Sequence, residues 1–244
     1  MKVTRIAVLV AAVMVFFFSA NVQAAMIRVS VNALTTNYPS AADRQLNLSI
    51  EVFSNTATHP PSYIGSIDVL APDGTALSVD PKKDWRPYDR SYGKAFKAGD
   101  FSGGVIPGGT YSVTVTPTPS GTAITETDDV PTKTDGVTAS LLPVPIVTSP
   151  LDLDDDVVES PSITWNAVSG AAYYALLLWN NTLDEPVYWT WERQYHTDFT
   201  KIILLPGVLK PNSQYTLRIE ARSGSQDLDR RSRSKLVHFT TGSW

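Results

Sequence analysis

The chain reads as an all-β protein, two tandem β-sandwiches behind a cleaved export signal, and three observations lead there. Apolar and polar residues alternate at period two in one segment after another, and no long stretch repeats at period 3.6. The 17 prolines, with many Thr, Val and Ser residues, favour strands separated by turns. Some 220 residues follow the signal, and sandwiches of ~100 residues each fill that length with cores large enough to need no staple.

Residues 1–24 carry the marks of a secretory signal. Lys2 and Arg5 make a positive start, Ile6 to Phe18 an apolar run, and Val22-Gln23-Ala24 a small-residue cleavage site, so the mature chain is expected to begin near Ala25. The run of 13 residues is shorter than the ~20 a spanning helix needs, which favours a removed signal over a permanent anchor. No second run of that length follows, so no membrane span is expected in the mature chain. The absence of cysteine excludes a lipidated cysteine, disulfides and thiolate metal sites. A bacterial protein exported to the periplasm or the outside fits these features. Without Lys2 and Arg5 the chain has 18 basic and 24 acidic residues, a formal charge of −6, which argues against nucleic-acid binding.

From the start of the mature chain, Ile27, Val29 and Val31 alternate with Arg28, Ser30 and Asn32, and Leu46, Leu48, Ile50 and Val52 with Asn47, Ser49 and Glu51. These are two half-buried strands. Tyr63 to Leu70 forms a third, stopped at Ala71-Pro72-Asp73-Gly74-Thr75, where Pro fixes a negative φ and Gly accepts a positive one. Leu77 and Val79 start its return. Ile106-Pro107-Gly108-Gly109-Thr110-Tyr111 opens a strand with Tyr111, Val113 and Val115 inward, and a final pair covers Ala123 to Val130 and Gly136 to Leu142. A Pro-Gly turn running into Gly-Thr-Tyr is similar to many bacterial immunoglobulin-like and prealbumin-like sandwiches, which implies an immunoglobulin-like sandwich over residues 25–143.

Leu142-Pro143-Val144-Pro145 lacks two backbone donors and reads as a short stiff joint, with the boundary near residue 143. Beyond it, Ile163-Thr164-Trp165 and Tyr173 to Trp179 are strands, Val187 to Glu192 a hairpin partner, and Lys201 to Leu205, Tyr215 to Arg222 and Lys235 to Thr240 the rest. Tyr215, Leu217, Ile219 and Ala221 point inward against Thr216, Arg218, Glu220 and Arg222. Leu209-Lys210-Pro211-Asn212-Ser213-Gln214-Tyr215, a Leu-x-Pro-x-x-x-Tyr run entering a strand, resembles the tyrosine corner of fibronectin type III domains. The resemblance covers residues 144–244 and implies a sandwich with Trp165 plugging its core and the Tyr215 hydroxyl bonded to nearby backbone. The first half has no such run, and no repeat relates the halves.

Little in the chain is equipped for catalysis. The histidines are His59, beside two prolines, His196, in a polar loop, and His238, facing outward if Val237 and Phe239 face the core. No Gly-x-Ser-x-Gly elbow occurs, and Gly103 to Gly109 lacks the Gly-Lys-Ser/Thr ending of a phosphate loop. No cofactor is expected. Asp152, Asp154 and Asp156, in a run with Asp155 and Glu159, are hard oxygen ligands close enough to suggest calcium, although the run lacks the Gly and terminal Glu of an EF-hand. A solvated charged loop between the first two strands of the half is the favoured reading of the run.

Two surfaces are candidates for binding. Trp179, Tyr188, Trp189, Trp191 and Tyr195 gather along one hairpin and cannot all face one core at period two. Either some are exposed as a sugar platform or protein contact, or the second row packs on other parts of the chain. The segment Lys82 to Lys94 interleaves Trp85, Arg86, Tyr88, Arg90 and Tyr92 in a stretch of charge +3, suited to an anionic polysaccharide or to a loop pinned by its rings. The basic run Arg230 to Lys235 is expected in a loop at the pole facing the first half, near Glu126, Asp128 or Asp129, with Asp152 to Asp156 at the far pole. Such opposed charge would suit head-to-tail homo-oligomers. The reading is an exported, non-enzymatic binding or assembly module for a protein or polysaccharide at the cell surface. Its alternatives are a filament or surface-layer subunit and a carbohydrate-binding accessory of a secreted hydrolase.

Overall fold

The computed structural model describes residues 26–54, 63–118, 121–189, 195–196, 199–224 and 230–244. The first half runs through β1 (Met26–Asn37), β2 (Gln45–Ser54), β3 (Ile64–Leu70), β4 (Ala76–Val79), β5 (Trp85–Arg86), β6 (Ser91–Lys97), β7 (Gly109–Pro117) and β8 (Ile124–Val130). One sheet has the order β1-β2-β6-β5 and the other β4-β3-β7-β8. Consecutive strands repeatedly change sheet, which makes the antiparallel, Greek-key sandwich of an immunoglobulin-like fold. Val29, Leu48, Ile50, Ile67, Val113 and Val115 from the two sheets meet in one buried cluster. The turn after β3 forms as the sequence predicts, with Gly74 at φ 83° and Gly74 N–H on the Ala71 carbonyl at 2.9 Å.

Two expectations for this half are corrected. Residues 136–142 form no strand, only the bridges Pro107–Thr138 and Thr132–Ala139. The Asp135 carboxylate explains this, since it takes the Val137 and Thr138 amides at 2.9 and 2.8 Å and folds the segment into a local turn. The second correction is that Trp85 to Lys97 is a β-hairpin of the first sheet, not an irregular loop. Its inward residues, Tyr92 and Phe96, lie in the core.

The second half continues with β9 (Val147–Ser149), β10 (Asp154–Val157), β11 (Ser162–Trp165), β12 (Tyr173–Asn180), β13 (Glu185–Trp189), β14 (Tyr195–His196), β15 (Lys201–Ile203), β16 (Gln214–Arg222), β17 (Arg230–Arg233) and β18 (Val237–Thr241). The order β15-β11-β9 faces a sheet in which β13 and β14 pair with β12, β12 with β16, and β16 with β17 and β18. This is the strand order of a fibronectin type III-like sandwich. Trp165 is buried against Tyr174, ring centroids 5.5 Å apart. At the corner, the Tyr215 hydroxyl is buried and accepts the Lys210 amide at 2.6 Å and Asn180 Nδ2 at 3.2 Å.

The last strand is split. β17 pairs with Glu220 to Arg222 and β18 with Gln214 to Leu217. Between them the Ser234 hydroxyl takes the Ile219 amide at 3.0 Å, so the gap leaves that donor satisfied. The basic run expected in a loop is therefore a strand in its first part. On its other side β17 pairs in parallel with the end of β1, Thr35 to Asn37 opposite Arg230 to Ser232. One sheet thus runs from β5 through β1 and β17 into β16. The joint is tied to this seam: Asn37 Nδ2 donates to the Leu142 carbonyl at 2.8 Å and Ser232 Oγ to the Pro143 carbonyl at 2.7 Å.

The acidic run is corrected as well. Asp154 to Val157 is an edge strand lying parallel to β18, where charged side chains discourage further pairing. Asp152 meets Lys235 at 2.8 Å, so the acidic run starts beside the basic one and the two do not mark opposite poles.

Candidate interaction face

Alternation along β16 and β12 assigns each side chain to one side of the large sheet. Tyr215, Leu217, Ile219 and Ala221 are buried with Tyr174, Leu176 and Leu178 in the second core. Thr216, Arg218, Glu220 and Arg222, with Tyr173, Ala175, Leu177 and Trp179, consequently stand on the outer face. Strand register groups them into rows. Tyr173 is opposite Arg222 and Arg222 opposite Arg231; Ala175 is opposite Glu220 and Glu220 opposite Arg233. Leu177 is opposite Arg218, and Trp179 is opposite Thr216, which is opposite His238.

Near the seam with the first half this face is a buried ion cluster. The Glu220 carboxylate bonds Nε of Arg222 through one oxygen and Nε of Arg233, at 2.7 Å, through the other, with Arg231 Nε at 3.5 Å. Burial alone would push its carboxyl up, but Arg231, Arg222 and Arg233 outweigh that and hold it below the ordinary carboxylate range. Arg233 also donates to the Tyr38 hydroxyl at 2.9 Å, and the Arg222 guanidinium lies 5.8 Å from the Tyr173 ring centroid. Within the basic run Arg231 and Arg233 meet Glu220, and Lys235 meets Asp152. Of the acidic residues expected beside it, Asp128 accepts the Ala33 amide at 2.6 Å and Asp129 the Thr110 hydroxyl at 2.6 Å.

Away from the seam the face opens. Trp179 and Leu177 are half-buried, and so is Arg218, which makes no ion pair among the described residues. Burial first, and then Arg233, disfavour the Arg218 cation, with Glu220 only partly compensating. Beyond Thr216 a shallow hollow of about 200 Å³ is bounded by Leu153, Asp154, Asn181, Gln214, His238 and Thr240. Asn181 Nδ2 donates to the Thr216 hydroxyl at 2.8 Å. At its margin Asp152 takes the His238 amide at 3.0 Å and stands 3.4 Å from His238 Nδ1. The Lys235 hydrogen bond, followed by the His238 amide, lowers the Asp152 carboxyl to about 2.

The sequence candidates divide sharply. Trp179 stands on the open face. Trp189 occupies the β13 position opposite Leu177. Trp191 and His59 lie outside the described residues. Tyr188 packs against the core. In the other segment Tyr92 is 2% exposed, so its reading as a contact residue is corrected: it is core, with Trp85 packed on it at a centroid distance of 4.9 Å. Arg86 lies across Gly93, where a Cβ would collide with its guanidinium. Only Tyr88 and Arg90 remain at an exposed tip. The calcium candidates do not converge either. Asp152 is occupied by Lys235 and His238, Asp154 accepts the Leu151 amide at 2.7 Å, and Asp156 lies against Gly242. Among the described residues no three His, Asp or Glu side chains form a metal-holding group.

Sequence reasoning missed Arg218 and His238 as members of this face. The outward position of each was legible from alternation, but their placement beside Trp179 needed the strand order.

No family model matches the chain, and no curated protein matches it in sequence. Among solved structures, a crystal structure of the FN1–FN3 domains of chicken CNTN1 is similar at a TM-score of 0.41 and 14% identity, over 88% of this chain and 64% of that one. The chain thus spans less than two thirds of that structure, and the fold assignment stands on the strand order and corner described above.

Proposed function

We propose that the chain is an exported, non-enzymatic binding module whose contact surface is the open part of the outer sheet face, centred on Trp179. The observation that carries this reading is a half-buried Trp near Leu177 and Arg218 on the outer face of the sheet, in a sandwich whose strand order serves binding and structural modules. A large ring left partly in water on a rigid sheet is suited to a protein or polysaccharide surface. Non-enzymatic action is favoured because the Asp152–His238 pair lies open to solvent and is committed to Lys235 and to backbone. Export is proposed from residues 1–24, which lie outside the described residues, and no helix among the described residues is long and apolar enough to cross a membrane.

The test is retention of the purified protein on insoluble cellulose, chitin and peptidoglycan. Native protein should be retained on at least one, and Trp179→Ala should reduce retention about tenfold with an unchanged unfolding midpoint. Retention that survives Trp179→Ala contradicts the reading, and retention on none of the three excludes these polysaccharides and turns the reading to a protein or a soluble acidic polymer.

A further inference from the structure

Arg218 is a half-buried cation on an open face, and Glu220, the carboxylate that favours its charge, is already shared by three other arginines. A ligand acid arriving there meets a guanidinium that has lost part of its water and, among the described residues, has no ion pair to break, the situation in which a charge-assisted bond contributes most. Diagonal neighbours on paired strands stand about 7–8 Å apart, within reach of long and aromatic side chains, so Arg218 and Trp179 can engage one ligand together. From Arg218 the outward residues of β16 continue through Thr216 to Gln214, roughly 13 Å along the strand. They lead to the hollow with Asn181 and His238. Hydroxyl, amide and imidazole groups beside an indole ring match the hydroxyls and flat faces of sugars.

We propose that Trp179, Thr216 and Arg218 form a subsite for an acidic polysaccharide, with a sugar ring on the indole and a uronate carboxylate on Arg218. This rests on the outer face being the contact surface. The density of hydroxyl-matching groups favours a sugar over an acidic peptide, and the overall formal charge of −4 makes indiscriminate polyanion binding unfavourable.

The test is calorimetric titration of the full mature chain with tetragalacturonate and with the uncharged galactose tetramer of the same linkage. The uronate should bind about tenfold or more tightly than the neutral tetramer, and less tightly as salt rises. Arg218→Ala and Arg218→Gln should remove that preference without affecting the neutral tetramer, while Arg218→Lys restores part of it. Trp179→Ala should weaken both. Equal binding of the two tetramers overturns the proposal, as does a preference unchanged in both Arg218 variants whose unfolding midpoints match the native one. Stronger binding of a sulfated galactose tetramer overturns the carboxylate assignment, and equal, Arg218-dependent binding of a glutamate oligopeptide assigns the site to acidic protein instead. If neither tetramer binds but Trp179 still governs retention on an insoluble polysaccharide, this subsite fails and the binding face stands.

Discussion

Tyr111 near the start of β7 and Tyr215 near the start of β16 each stand four residues after a Pro, and both are fully buried. Their hydroxyls do different work. Tyr215 accepts two donors, the Lys210 amide and Asn180, whereas Tyr111 donates to the Pro107 carbonyl at 2.8 Å. Tyr215→Phe strands the buried Asn180 donor and the part-buried Lys210 amide and should lower stability by about 2 kcal/mol, and Tyr111→Phe, which leaves one carbonyl short, by about 1 kcal/mol, both read from urea unfolding. Glu220 is the other residue on which much depends. Glu220→Gln leaves Arg222, Arg231 and Arg233 around a neutral amide and should cost about 3–5 kcal/mol. Because the folded carboxyl titrates below its unfolded value, its contribution is complete above roughly pH 4.3 and is lost as pH falls through the lower folded value. Asp152 acts in the same sense between roughly pH 3.9 and its folded value of about 2. Native protein should therefore lose stability steeply below pH 4, and the Gln variant less steeply, in urea midpoints measured across that range.

At the level of elements, β17 decides how the halves are joined. Parallel pairing with β1, together with Asn37 and Ser232 on the joint's carbonyls, turns a segment rich in proline into a fixed seam. Asn37→Ala with Ser232→Ala should lower stability by about 1–3 kcal/mol and raise hydrogen exchange at Thr36 and Asn37, with the distant β3 and β7 amides unchanged. The same element shows where sequence reading ends. Strands whose inward residues are plainly apolar, such as Leu46 to Val52 and Tyr215 to Ala221, were legible from alternation alone. β17 and β10 were not, because Arg230 to Arg233 and Asp154 to Asp156 have no apolar row; one is placed by Glu220 and the other by an edge. The β5–β6 hairpin was hidden for the opposite reason: Trp85 and Tyr92 sit among charges that point to solvent. The likeness of the two tyrosine corners was hidden too. Pro107-x-x-x-Tyr111 and Pro211-x-x-x-Tyr215 share a spacing, but Leu209, buried at the start of the second corner, has exposed Val105 as its counterpart.

In the whole molecule two sandwiches share one sheet, and the proposed contact surface is the far, open part of that sheet's outer face. The arginines beside the seam are occupied by Glu220, which leaves Arg218 and Trp179, among the described residues, as the part of the face proposed to meet a partner. The alternative surface, the tip around Tyr88 and Arg90, belongs to the other half and is built on a hairpin whose larger rings are spent on the core. The two surfaces are separated most directly by the hydrogen-exchange footprint of the protein on whichever of cellulose, chitin or peptidoglycan retains it. New protection is expected at residues 175–179 and 214–218, with Lys82 to Lys94 unchanged; protection confined to Lys82 to Lys94 would contradict the account.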